Sequence, residues 1–176
     1  FVADTKLNIS PYYTRPGGAF GGSCLPKDVR ALQNLASGIG ANAYLLESLL
    51  RSNEAHKHYQ FRQIVADLPS DARVLVVGLA FKAGTDDLRE SPNVDLVCKL
   101  IEAGVQVSVF DPGLDPAKLR GQNLGYAYNH LPTIDTLLID RLVAETGPWD
   151  RVIATNATAG QLDLSGFSVV ETHTIR

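Results

Sequence analysis

The sequence predicts an α/β protein in which an all-helical segment precedes an open sheet of parallel strands. Two observations carry that expectation. Between Pro26 and Leu68, apolar residues recur at spacings of three and four, the period of a helix face. At Val74 to Val77 the pattern becomes a continuous branched run of strand length, followed by a helical stretch and a second strand-like run in "VQVSVFDP". Strand, helix and strand within about forty residues make a βαβ unit, which requires a crossover and a parallel pair.

In chain order, Phe1 to Gly22 reads as a short segment and then a loop, because "PYYTRPGGAFGG" holds two prolines and four glycines. Pro26 opens a helix with Val29, Leu32 and Ala36 on one face, and Gly38 with Gly40 stops it. A longer helix is expected from about Ala43 to Leu68, with Leu46, Leu49, Leu50, Asn53, Phe61, Ile64 and Val65 on its inner side. In "SPNVDLVCKLIEAG", Ser91 is a natural N-cap, Pro92 suits the first helical position and Gly104 ends the helix. Beyond it, "TLLIDRLVAE" reads as one helix, and "RVIATNA" and "FSVVET" as two more strands. The boundary falls at Ser70 to Ala72, dividing a helical segment, 1–70, from an α/β domain, 71–176. Ligands of such a domain bind at the carboxyl ends of its strands.

Composition narrows the function classes. With 176 residues, 45% apolar and 20% charged, the chain can bury a core without staples. A formal charge of -3 and no Lys/Arg cluster argue against nucleic acid as a partner, and no apolar run reaches bilayer length, which argues against a membrane. Two cysteines are too few for a disulfide framework, and no secretory leader opens the sequence, so the cytoplasm is the expected compartment. The sequence has no methionine and opens on "FVADTKLNIS", which reads as a fragment.

Cys24 lies two residues before Pro26, in "AFGGSCLPKDVRAL". If Pro26 takes the first helical position, the thiol sits just outside a helix amino end, where unpaired amides and Lys27 favour a thiolate. Gly21 and Gly22 leave room for a substrate to approach sulfur, and Asp28 in the first turn could act as a base toward water. The competing reading makes Cys24 a small residue filling a tight turn. Cys98, inside "VDLVCKL", reads as a core residue. His56 and His58 fall on different helix faces, so neither a metal pair nor a thiol base is favoured and no metal site is expected. Asp111, ending the second strand, is either an acceptor for ribose hydroxyls or a turn residue of "FDPG".

"RPGGAFGGSCLPKDVRAL" and "GLAFKAGTDDLRESP", in that order, resemble the UDP-glucose and GDP-mannose dehydrogenase family of nucleotide-sugar 6-dehydrogenases, with wording nearest its GDP-mannose branch. The resemblance covers Phe1 to Pro112 well and then fades. It implies a Rossmann-like C-terminal domain after a central dimerisation segment, and therefore a homodimer. Members oxidise a sugar C6 alcohol to a carboxylate in two hydride transfers to NAD without releasing the aldehyde. On that pattern Cys24 forms a thiohemiacetal and then a thioester, and Asp28, by motif match, activates the hydrolytic water.

Other roles follow from the same resemblance. Phe20, Gly21 and Gly22 match the loop that wraps the sugar. Tyr12, Tyr13 and Arg15 match a segment that reaches the nucleotide sugar of the neighbouring subunit, and a guanidinium suits a diphosphate. Lys82 matches a lysine on the nucleotide sugar, GDP-mannose or UDP-glucose, and Arg89 an arginine that reaches NAD. Asp86, Asp87 and Glu90 are expected to pin their loop rather than touch ligand.

One departure stands out. No G-x-G-x-x-G follows either strand of the βαβ unit, so this part is a poor holder of NAD by itself. The family places its NAD domain first, and the lysine and asparagine that stabilise the oxyanion would lie before Phe1. The competing class is a non-catalytic nucleotide-sugar-binding or dimerisation module.

Overall fold

The computed structural model describes residues 17–175; Tyr12, Tyr13 and Arg15 lie outside them. Two helices come first, α1 (Leu25–Gly38) and α2 (Tyr44–Val65). The α/β part follows with β1 (Arg73–Val77), α3 (Pro92–Glu102) and β2 (Gln106–Phe110). It continues through α4 (Gly121–His130), α5 (Ile134–Leu137), α6 (Arg141–Thr146), β3 (Arg151–Ala154) and β4 (Val169–Glu171). The four strands form one parallel sheet in the order β2-β1-β3-β4, with Val77 level with both Phe110 and Ala154.

The apolar run at β1 exists because both its faces are covered. Val74 and Val76 enter a core with Ile64 of α2, Val94, Val97 and Leu100 of α3, and Leu131. Leu75 and Val77 enter a second core on the opposite face, with Phe110, Ala144 and Val152. Val74 to Val77 of β1 are fully buried, at roughly 2 kcal/mol of stabilisation each. In α3, the Ser91 hydroxyl accepts from the Asn93 amide, as an N-cap should.

Three local expectations change. The stretch "TLLIDRLVAE" is two short helices, because Leu138 bridges Val109 in parallel and the Ile139 amide donates to the Val109 carbonyl at 2.9 Å. Asp140 then starts α6 by accepting from the Val143 amide at 2.9 Å. Helix α1 begins at Leu25, one residue earlier than a first-position Pro26 allows. The Asp28 amide bonds the Cys24 carbonyl at 2.9 Å, and Pro26 is tolerated where its missing N–H would have no partner. Of the α1 face, Pro26 and Val29 are buried, whereas Leu32 is 49% exposed.

The chain leaves β1 toward β2 on one side and returns to β3 on the other. The strand order therefore reverses between β1 and β3, and the crevice at their carboxyl ends is where ligands of such sheets sit.

Candidate active site

The loop from Gly78 to Ser91 leaves β1 at that crevice on a base fixed by four buried or half-buried side chains. Asp111 accepts from the Leu79 and Ala80 amides at 2.8 and 3.0 Å through one oxygen, and from the Gly113 amide at 3.1 Å through the other. Ser91 donates to the Leu79 carbonyl at 2.9 Å, and Asn93 and Asn156 both donate to the Ala80 carbonyl, at 2.8 and 3.1 Å. Asp111 is 4% exposed and both of its oxygens serve backbone amides. Its reading as an acceptor for ribose gives way to a structural one, that of the residue that joins the ends of β1 and β2.

The segment carrying Cys24 docks onto this loop. The Gly22 amide donates to the Glu90 carbonyl at 3.1 Å. A Cβ on Gly21 would stand 2.2 Å from that carbonyl oxygen and 2.5 Å from Pro92 Cδ, and one on Gly22 would meet the Phe81 ring at 2.9 Å. Gly22 also has a φ of +84°, so the glycine pair has a packing reason before any substrate is considered. From the other side, α2 holds the segment through Asn53, which accepts from the Phe20 amide at 2.9 Å and donates to the Phe20 carbonyl at 2.8 Å. His56 Nε2 lies 3.1 Å from the Gly17 carbonyl.

Cys24 is exposed and is the N-cap residue of α1, where the free amides of the first turn gather. Its neighbour Ser23 donates to Asp87 at 3.2 Å, and Ser23 Oγ lies 4.0 Å from the Cys24 sulfur. Asp87 in turn accepts from Arg89 Nε and Nη2, both at 2.9 Å. That fork holds the Asp87 carboxyl below the usual carboxylate range, aided by the Arg89 amide and the Ser23 hydroxyl against partial burial. Arg89 is raised, first by its side-chain bonds to Asp87 and then by that carboxylate's charge. One residue on, Glu90 takes a left-handed φ of 52° and forks onto Arg30 of α1 at 2.6 and 2.9 Å. Asp87 and Glu90 thus pin the loop to the cysteine segment across 64 and 60 residues of sequence.

The structure therefore brings together Phe20, Gly21, Gly22, Cys24 and Arg89. Asp28 lies in the first turn of α1 in an exposed pair with Lys27 at 3.3 Å. Lys82 is exposed, its carbonyl accepting from Thr85 at 2.8 Å while its ammonium has no described partner. Cys98 is half-buried at the edge of the main core, where burial first, then Asp95 and Glu102, push its thiol up to about 11. Among the described residues no group of three or more His, Cys, Asp or Glu is placed to hold a metal.

Sequence reasoning missed Gln60, which is 8% exposed and donates to the Thr172 carbonyl at 2.8 Å, fastening α2 to the end of β4. Its spacing of seven from Asn53 and four from Ile64 was the available signal. Between α2, α3 and the β1–β3 crevice lies a cavity of about 200 Å³ whose walls include Phe81, Asn93, Thr155, Thr172, Lys57 and Lys99. Lys57 is held there at 2.6 Å from Asp95 and 2.7 Å from Glu54. Phe81 connects this cavity to the cysteine segment, since its ring lies against Gly22.

Two sequence models of the UDP-glucose/GDP-mannose dehydrogenase family match the chain, the central domain over residues 2–55 and the UDP binding domain over 75–147. The GDP-mannose 6-dehydrogenase of Pseudomonas putida is 44% identical over 177 residues, covering 93% of this chain and 40% of that one. The UDP-glucose 6-dehydrogenase of Rickettsia typhi is 35% identical over 140 residues, covering 74% and 32%. Among solved structures, a ternary complex of GDP-mannose dehydrogenase from Pseudomonas aeruginosa superposes with a TM-score of 0.80 at 41% identity, covering 96% of this chain and 39% of that one. A UDP-glucose dehydrogenase from Pyrobaculum islandicum gives 0.72 at 28% identity, covering 98% and 38%. The chain spans about 40% of the length of the first of these curated relatives.

Proposed function

Because the chain belongs to the UDP-glucose/GDP-mannose dehydrogenase family, we propose that it works in the NAD-dependent oxidation of a nucleotide sugar at C6, with GDP-mannose ahead of UDP-glucose as substrate. The observation that carries this reading is an exposed thiol at a helix amino end, joined through Ser23 and Asp87 to a loop that leaves the switch point of a parallel sheet. The preference for GDP-mannose follows the higher identity to enzymes of that name, 44% against 35%.

On this reading the cavity beside Phe81 receives the nucleotide, and the sugar extends past Phe20 to Gly22 toward Cys24. Lys82 turns its ammonium to the diphosphate. Cys24 adds to the C6 aldehyde, forming a carbon–sulfur bond while the carbonyl oxygen takes a proton. Loss of hydride from that carbon, with the hydroxyl proton released to water, leaves a thioester, and water activated by Asp28 cleaves it to carboxylate and free thiol. NAD, when bound, accepts the hydrides. Of this chain's described residues, Arg89 fits its diphosphate, since the guanidinium is 38% exposed beyond its fork with Asp87. No glycine-rich fingerprint accompanies it: Gly78, the turn after β1, packs against the Asn156 side chain.

Pairing of two copies through the helical part is supported by the apolar side chains left open there, Leu35 at 61%, Ile39 at 72% and Leu45 at 74% exposure. A screen of thermal unfolding with GDP-mannose, UDP-glucose and NAD tests the substrate assignment. GDP-mannose should raise the midpoint most, through preferential binding to the folded chain. Stabilisation by neither nucleotide sugar would contradict it.

A further inference from the structure

The loop and the cysteine segment meet at one carboxylate that has more partners than a loop clamp needs. Asp87 accepts the Arg89 guanidinium through both oxygens and the Arg89 amide at 3.0 Å, and in addition the Ser23 hydroxyl. Its side chain is 19% exposed, so these bonds are partly shielded from water. Two other links already dock the segment without it. These are the Gly22–Glu90 backbone bond and the Arg30–Glu90 fork, with Gly21 closed against Pro92. What Asp87 adds is a connection between a guanidinium open to an anion and the residue next to the thiol.

We propose that Asp87 is a positioning residue that couples anion occupancy at Arg89 to the placement of Cys24, through Ser23. This rests on the reading of Arg89 as a diphosphate contact. Grooves lie on either side of Arg89, one reaching Ser23, Lys27, Arg30 and Glu90 and the other Asp86, Asp87, Lys118 and Arg120. A diphosphate bound there competes with Asp87 for the guanidinium. The freed carboxylate then has the Ser23 hydroxyl as its remaining side-chain donor, and the Cys24 segment shifts with it. The order this imposes is chemically useful, since the nucleophile reaches its working position only when the hydride acceptor's diphosphate is in place.

The test reads the thiol rather than turnover. Iodoacetamide labelling of Cys24 is followed by mass spectrometry with and without millimolar inorganic pyrophosphate, with Cys98 as the internal control. In the unmodified chain pyrophosphate should change the Cys24 rate by about fivefold and leave Cys98 alone. Ser23→Ala and Asp87→Asn should lose that response while keeping the thermal midpoint near that of the unmodified chain, and Ser23→Thr, which restores the hydroxyl, should regain it. An unchanged Cys24 rate in the unmodified chain would overturn the proposal. So would a full response in Ser23→Ala, which would mean that the anion acts on the thiol directly. Failure of the nucleotide-sugar reading shows separately, as a missing thermal shift with GDP-mannose and UDP-glucose.

Discussion

Asn53 holds Phe20 by both of its backbone groups, accepting from the amide at 2.9 Å and donating to the carbonyl at 2.8 Å. One side chain of α2 thereby sets the path of the segment that leads to Cys24, and at 8% exposure little water competes for it. Asn53→Ala should cost about 2 kcal/mol in urea unfolding, two part-buried bonds at about 1 kcal/mol each, slightly offset by alanine's helix preference. Asn53→Asp keeps the acceptor and loses the donor, and should fall between the two. An unchanged urea midpoint for Asn53→Ala would show that the segment is held by other means.

The two glycines of the segment should differ in a defined order. Gly21→Ala drives a methyl into the Glu90 carbonyl and Pro92, neither of which can swing away, and should destabilise by about 3 kcal/mol. Gly22→Ala meets the edge of a ring that can turn, so about 1–2 kcal/mol from its left-handed backbone should dominate. Denaturation of both variants checks the ranking, and the reverse order would contradict the docking described for this loop.

Alkaline pH should weaken the fold through Cys98. Its thiol is raised from 9.0 to about 11, chiefly by burial, so the folded chain holds this proton more tightly than the unfolded chain does. The sign follows: the contribution is intact below pH 9 and is lost as pH rises toward about 11. Tyr126, raised to about 12 mainly by burial, acts in the same direction above pH 10. Between pH 9 and 10 the thiol stands apart from the tyrosine, so unfolding midpoints of Cys98→Ala should fall less steeply there than those of the unmodified chain. Parallel slopes would rule the thiol out as the cause.

Much of this architecture could be read in the residues. The Ser91-Pro92 start of α3 and the branched run of β1 announce themselves through local chemistry that needs no tertiary partner. The break between α5 and α6 does not. Its apolar pattern is continuous, and what makes it extended is a bond from the Ile139 amide to Val109, 30 residues earlier. Helix α4 was equally silent, because "GQNLGYAYNH" has the composition of a loop and buries only Ala127 fully. The site divides along the same line. The place of Cys24 at a helix start is local and was legible to within one residue. The roles of Asp111 and Asn53 exist only once distant backbone arrives at their side chains.

The Arg30–Glu90 fork sits at 50% and 39% side-chain exposure, so its short geometry should be worth less than it looks. Arg30→Gln should cost no more than about 1 kcal/mol in denaturation, screened further by salt. A loss of several kcal/mol would mean that the left-handed turn at Glu90 depends on this ion pair.

Cysteine labelling in the presence of GDP-mannose addresses the proposed nucleophile most directly. With iodoacetamide near neutral pH, Cys24 should react well ahead of Cys98, whose raised thiol keeps its reactive fraction about a hundredfold below an ordinary cysteine's. Saturating GDP-mannose should slow Cys24 and leave Cys98 unchanged. A Cys24 that labels no faster than Cys98, or at the same rate with and without GDP-mannose, would contradict the proposal that Cys24 captures the sugar aldehyde.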